Sequence, residues 1–151
     1  MRTFSNTFLG FLLLFLVAFD QITKFIFFNL PRDFGFFAIT PVTNTGISFG
    51  LFQGNNLILT IVTSLFIVLL FLFRNEFKGH ELFLVFILAG AFGNLIDRLI
   101  HGHVLDFLDF KFFPVFNVAD SLIFIGVVAI IFLELKDVFN KKSNKNVSKK
   151  K

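Results

Sequence analysis

The sequence predicts a mainly α integral membrane protein: a single domain over residues 1–151 with four transmembrane helices and both termini cytoplasmic. Three observations predict it. Four apolar stretches, at about Phe8–Phe28, Leu57–Phe73, Leu82–Ile100 and Val118–Leu135, each hold 17 to 21 residues. At about 1.5 Å of rise per residue they reach on the order of 25–32 Å, close to the thickness of a bilayer's hydrocarbon core. The chain is 56% hydrophobic and 16% charged with a mean hydropathy of +0.83, whereas a soluble domain of this size carries more charge on its surface. The basic residues are also lopsided. Arg2, Arg74, Lys78, Lys136 and six tail lysines fall on one side of the four spans, and the opposite loops hold Arg32 and Lys111. By the positive-inside rule the first side is cytoplasmic.

Taken in order, the first apolar run follows Arg2 but lacks a small-residue cleavage site. It continues into Asp20-Gln21-Ile22-Thr23-Lys24, and so reads as a retained helix. Asn29–Asn56 then lies outside. Phe34-Gly35-Phe36-Phe37-Ala38-Ile39 is β-like and apolar, Asn44-Thr45-Gly46 is turn-like, and Phe49, Leu51 and Phe52 follow. So apolar a loop lies on the membrane or covers a cavity. The second and third spans are joined by the short Arg74–His80 loop, the third and fourth by His101–Asn117. A basic tail, disordered from about residue 138 to 151, holds six of the 14 basic residues and sits near anionic lipid. That concentration of charge at one end argues against nucleic-acid binding despite a net charge of +4.

The absence of cysteine removes disulfides, thiolate nucleophiles and cysteine metal sites. His80, His101 and His103 are too scattered for a zinc site. With 28 Phe and neither Trp nor Tyr, phenylalanine fills the headgroup zone where Trp and Tyr usually sit.

Ionisable groups within spans cost roughly 2.5–3.5 kcal/mol each on insertion scales and mark functional sites. Here they gather at one depth. Asp20 and Lys24 lie in the outer third of the first span, and Asn94, Asp97 and Arg98 in that of the third. Asn117 and Asp120 open the fourth, and Asp106 and Asp109 lie just past the third. Gly90, Asn94, Arg98 and His101 share one helical face, and Gly90 and Gly93 permit close helix approach. Asp20 and Lys24 form an i,i+4 pair that reads equally as a buried strut. Two adjacent aspartates sharing one proton can activate water against an amide and protonate the leaving amine. Asp106 and Asp120 are the best placed, with Asp97 and Asp109 as alternative partners that periodicity does not separate.

Several blocks, in this order, carry a resemblance: Asp20-Gln21-Ile22-Thr23-Lys24; Asn44-Thr45-Gly46-Ile47-Ser48-Phe49-Gly50; Gly90-Ala91-Phe92-Gly93-Asn94-Leu95-Ile96-Asp97-Arg98; Gly102-His103-Val104-Leu105-Asp106-Phe107; and Phe116-Asn117-Val118-Ala119-Asp120. With them, most of the chain resembles the lipoprotein signal peptidases (signal peptidase II). Ala89 stands where glycine is common and Ser48 where alanine is, both away from the acids. The resemblance implies a catalytic dyad of Asp106 and Asp120. It implies a substrate site lined by Asn44, Gly46, Asn94, Arg98, Asn117 and Ala119, with Asp20, Lys24, Gly90 and Asp97 in support. It also implies a small extracytoplasmic β-cradle between helices 1 and 2, with a flap over the cleft. The implied partner is a prolipoprotein carrying a diacylglyceryl-modified cysteine, cut just before that cysteine at the outer face of the plasma membrane. A monomer among membrane lipids, with no metal or cofactor, suffices for this. Two other classes compete: a transporter or proton-relay subunit, and a non-catalytic membrane scaffold. The first needs polar groups through the full thickness, but only Thr60, Thr63 and Ser64 are mildly polar on the second span and the other inner halves are apolar.

Overall fold

The computed structural model describes residues 4–46 and 54–148, with side chains as far as Lys141. Residues 47–53, including Ile47 to Gly50 of the second motif and Phe49, Leu51 and Phe52, lie outside the described residues, as do Arg2 and the last three lysines. The expectation of a flap over the cleft is not addressed by the described residues.

Four helices form the body. Helix α1 (Asn6–Phe27) starts at Ser5, whose Oγ accepts the Phe8 N–H at 3.2 Å and so satisfies one of the first turn's orphan donors. Helix α2 (Asn56–Leu72) is apolar apart from hydroxyls that bond back onto its own carbonyls, Thr60 to Asn56 and Ser64 to Thr60, both at 2.8 Å. A short 3-10 turn (Arg74–Phe77) leads to α3 (Glu81–His101). Gly102 ends α3 in the left-handed conformation at φ 74°, its N–H on the Arg98 carbonyl at 3.2 Å. Helix α4 (Val118–Ser148) is the longest at 31 residues. The disordered tail expected from residue 138 is thus corrected, because α4 continues to Ser148. The segment 118–148 contains no proline and its one glycine is Gly126, so nothing in it stops a helix.

Helix α3 is the middle one. Of its apolar window 56% is buried, against 11% for α1 and 17% for α4. Ile67 and Leu70 of α2 close a core with Leu84, Ile87, Leu88 and Ala91 of α3. Helix α4 lies against α3 through glycines. A Cβ on Gly90 would collide with the Ala119 carbonyl, and one on Gly126 would meet the Phe83 carbonyl at 2.7 Å. The outer faces are bare hydrocarbon, with Phe11, Phe15, Phe25, Leu57, Leu72, Phe124 and Phe132 all more than half exposed. Such a belt is stable in lipid rather than water. Three helices are long and apolar enough to cross a membrane, and α2 is apolar but shorter at 17 residues.

One end of the bundle carries a three-stranded antiparallel sheet, β1 (Arg32–Asp33), β2 (Ala38–Asn44) and β3 (Val104–Asp109), in that order. This corrects the expectation of a cradle built between helices 1 and 2 alone, because its third strand comes from the α3–α4 connection. A two-residue strand beside β2 is marginal by itself, and β3 supplies the partner. Phe34 to Phe37 form the turn rather than the strand: Gly35 has φ 88°, its N–H bonds Asp33 Oδ1 at 2.7 Å, and the Phe34 N–H bonds the Phe37 carbonyl at 2.8 Å. The β2–β3 register slips between Ile39 and Val42, where Pro41 has no N–H to pair. Phe107, 1% exposed, packs on Phe27 with ring centroids 5.0 Å apart and ties β3 to the end of α1.

Candidate active site

Sheet geometry brings the first carboxyl to its partners. In the β2–β3 register Asn44 pairs with Val104 and Val42 with Asp106. Side chains two apart on a strand share a face, so Asn44 reaches diagonally to Asp106. Its Nδ2 donates to Asp106 Oδ2 at 2.8 Å. The chain beyond β3 then folds back. Phe116 exchanges both backbone hydrogen bonds with Leu108, at 2.8 and 3.1 Å, and this return sets Asn117 beside Asp106. Asn117 Nδ2 donates to Asp106 Oδ1 at 2.7 Å.

Asn117 also opens α4. Its Oδ1 accepts the Asp120 N–H at 2.8 Å, while Asp120 Oδ2 accepts the Asn117 N–H at 3.3 Å. That reciprocal pair is a capping box with an aspartate at its third position. The second carboxyl is completed from α3, where Asn94 Nδ2 donates to Asp120 Oδ1 at 2.8 Å. Each of the four carboxylate oxygens accepts one N–H.

The three asparagine amides are oriented by groups that can only donate. The Gly46 N–H holds Asn44 Oδ1 at 2.9 Å, the Asp120 N–H holds Asn117 Oδ1, and the Lys24 ammonium and the Asn117 NH2 both hold Asn94 Oδ1 at 3.1 Å. With each carbonyl oxygen claimed, each NH2 is left for a carboxylate. Asp106 is 3% exposed. Burial foremost, then the Asp120 charge, push its carboxyl up to about 6, against the pull of the Asn44 and Asn117 amides.

The alternative partners do not join it. Asp97 pairs with Lys24 at 2.9 Å and accepts Gln21 Nε2 at 2.9 Å. Asp109 is half-buried and bonded to Thr40 and to the Lys111 N–H. The Lys111 N–H foremost, then the Thr40 hydroxyl, hold its carboxyl below the usual range.

The residue model for Signal peptidase (SPase) II matches positions 12–136, most of the chain. The chain belongs to the signal peptidase II family. A lipoprotein signal peptidase of Caldanaerobacter subterraneus subsp. tengcongensis is 39% identical, with 79% of this chain and 90% of that one covered. One from Staphylococcus aureus is 37% identical, covering 85% and 88%. Two solved structures share the fold. A bacterial membrane enzyme determined in meso at 2.3 Å superposes with a TM-score of 0.82 at 32% identity, over 93% of this chain and 94% of that one. A second, at 1.9 Å, gives 0.76 at 33% identity, over 90% and 97%. Membership makes the chain a peptidase, and its apolar helices are those of a membrane enzyme.

Within this family member, the residues expected to line the substrate site divide. Asn94 and Asn117 are 6% and 0% exposed and spend their donors on the two carboxyls. Ala119, expected to line the substrate site, ties helices together inside the protein. It is 0% exposed, its N–H donates to Asp20 Oδ1 at 2.8 Å, and its carbonyl lies against Gly90. Gly46 is buried and orients Asn44. Arg98 keeps most of its donors unused among the described residues. Its one hydrogen bond among the described residues runs to its own helix, at 3.4 Å on the Asn94 carbonyl, and its buried Nε has no partner.

Beneath the pair lies a charged cluster. Lys24 Nζ sits 2.8 Å from Asp20 Oδ2 and 2.9 Å from Asp97 Oδ2. Gln21 was not singled out by sequence. Its Nε2 contacts Asp97, Asp20 and the Gly93 carbonyl at 2.9, 3.2 and 3.2 Å. The available signal was its place beside Asp20 within the first motif.

Proposed function

We propose that this chain is a membrane aspartyl endopeptidase that removes the signal peptide from diacylglyceryl-modified prolipoproteins, cutting just before the lipidated cysteine, with Asp106 and Asp120 as its dyad. The observation that carries the proposal is the asparagine bridge. Two carboxyls from different elements flank Asn117, half-buried or better, each oriented by amide donors.

The chemistry follows from one proton on two carboxyls. The ionised carboxyl takes a proton from a water as its oxygen attacks the scissile carbonyl carbon. The protonated carboxyl gives its proton to the developing oxyanion. The tetrahedral intermediate then collapses, the C–N bond breaks, and the amine of the cysteine leaves with a proton returned from the dyad. Arg98, with donors to spare, holds a backbone carbonyl of the extended peptide.

In this reading the four helices all cross the membrane, with both termini cytoplasmic and the sheet on the outer surface. Placing the pair at the outer interface lets a lipid-anchored peptide reach it by diffusion in the membrane plane. The lysines beyond Lys136 attract anionic headgroups on the inner leaflet.

The test uses the purified full chain in detergent with a diacylglyceryl-modified precursor and the same precursor without lipid. Cleavage confined to the lipidated form, and lost in Asp106→Asn and in Asp120→Asn, is the expected result. Full activity in either variant overturns the dyad, and cleavage of both precursors alike overturns the lipid requirement.

A further inference from the structure

Lys24 makes no hydrogen bond to Asp106 or Asp120 among the described residues, yet its ammonium, together with the Asn117 NH2, holds the oxygen end of Asn94 away from Asp120, each at 3.1 Å. We propose that Lys24 is a positioning residue that locks the Asn94 amide and through it sets how Asp120 is held and protonated in the reaction. The proposal rests on the dyad reading above and extends it to a side chain outside the pair.

An ammonium has three donors and no acceptor. Those of Lys24 meet three oxygens, Asp20 Oδ2 at 2.8 Å, Asp97 Oδ2 at 2.9 Å and Asn94 Oδ1 at 3.1 Å. Its seat is itself fixed. Asp20 Oδ1 is held by the Ala119 N–H at 2.8 Å, and Asp97 by Gln21 at 2.9 Å and the Leu105 N–H at 3.4 Å. A turned Asn94 would set its NH2 against the ammonium and its carbonyl against the Asp120 carboxylate. Both contacts are repulsive, so the amide has one allowed orientation. The lysine is itself buried, at 4% exposure.

A strut that only neutralised Asp20 and Asp97 would have no need of the third bond, and buried ion pairs are weak sources of stability in any case. The charged and titratable groups facing the relay are Asp20 on α1, Asp97, Arg98 and His101 on α3, His103 beyond it, Asp106 on β3 and Asp120 on α4. Of these, Asn94 bonds only Asp120 with its NH2, so loss of the relay falls on that carboxyl first.

The experiment combines two readouts on Lys24→Met, Lys24→Arg and Asp97→Asn in the full chain. The first is the pH–rate profile for the lipidated precursor. The second, which needs no turnover, is the infrared titration of the Asp120 carboxyl band, identified by its loss in Asp120→Asn. With the ammonium gone the Asn117 NH2 alone holds Asn94 Oδ1, and the charge that opposes a turn of the Asn94 carbonyl toward Asp120, a contact that demands a proton, is lost. Lys24→Met should therefore lower kcat roughly 10- to 100-fold with KM within about twofold, as a misplaced reacting group does. Its acid limb and the Asp120 band should both move to higher pH. Lys24→Arg keeps an obligate donor beside a cavity of about 480 Å³ that gives it room, and should bring limb and band back toward wild type. Asp97→Asn breaks an ion pair but leaves the relay, and should lower stability without moving the band. If Lys24→Met does not fold, Lys24→Met/Asp97→Asn restores charge balance, and Asn94→Asp removes the same NH2 donor by another route with the same expected shift. A folded variant from this set that lacks the donor and keeps the wild-type limb and band overturns the proposal. So does an Asp97→Asn shift equal to that of Lys24→Met. A wild type that cleaves nothing but shows the band shift in Lys24→Met sinks the proposed activity and leaves the relay standing.

Discussion

Asn117 and Asp120 cap each other: the Asn117 carbonyl oxygen accepts the Asp120 N–H at 2.8 Å, and the Asp120 carboxylate accepts the Asn117 N–H at 3.3 Å. The same asparagine donates to Asp106 at 2.7 Å, so one side chain starts a helix and links two carboxyls.

These two jobs separate by mutation. Asn117→Ser retains an oxygen that caps the helix but has no NH2 for Asp106, so thermal stability should stay near wild type while kcat falls. Asn117→Ala loses both, and should cost about 1 kcal/mol or more of stability in addition. Thermal unfolding and cleavage rate, measured on both variants, check the split.

Asp106 predicts a pH dependence of stability. Its carboxyl rises from 3.8 to about 6 on folding, chiefly by burial. Between those values the folded protein holds the proton that the unfolded chain has released. Its contribution is therefore fully present below about pH 4 and is lost as pH rises through about 6, a swing on the order of 3 kcal/mol at most. Asp106→Asn removes this titration. Its unfolding temperature in detergent, relative to wild type, should climb between pH 4 and pH 7. A constant difference across that range would show that Asp106 does not carry the shifted proton.

Gly90 sets the distance between α3 and the start of α4. In Gly90→Ala the new Cβ would collide with the Ala119 carbonyl, which is backbone and cannot turn aside. A cost of roughly 1–3 kcal/mol is expected, with a fall in activity because Ala119 precedes Asp120. Gly102→Ala meets nothing within 4 Å but carries φ 74°, so it should cost about 1–2 kcal/mol through strain alone. Unfolding curves of the two variants, beside their kcat values, separate packing from backbone strain.

Arg98 makes one long hydrogen bond among the described residues, to its own helix. Arg98→Ala should therefore raise KM more than it lowers kcat and leave the unfolding temperature within a few degrees of wild type. Steady-state kinetics on the lipidated precursor give the split, and a variant that fails to fold would mark the guanidinium as structural.

The helices were legible because lipid imposes a simple rule. A chain crossing hydrocarbon must satisfy its backbone internally and hide its charge, so long apolar runs have one reading. The expected bounds agree with α1, α2 and α3 to within two residues, and with the start of α4. The far end of α4 was misread because lysine-rich composition was taken for disorder, although Lys and Glu are good helix formers. The third strand was missed for a different reason. Val104 to Asp109 pairs with a segment some sixty residues away, and no local pattern reports so distant a partner.

Within the site, the sequence by itself determined the cast. Asp20, Lys24, Asn94, Asp97, Asp106, Asn117 and Asp120 stand out because charged and amide groups at the edge of apolar spans are costly to place there without partners. Tertiary structure alone decided the pairing. It set Asp97 against Lys24 rather than beside Asp106 and Asp120, held Asp109 on Thr40 and the Lys111 N–H, and turned Asn94 and Asn117 inward onto the carboxyls. Hydrogen bonds are short and directional, so a shift of one residue in strand register or a helical turn of phase would give these side chains other partners. Composition and spacing constrain depth in the membrane; they do not carry the angstrom-scale geometry that assigns each donor to its acceptor.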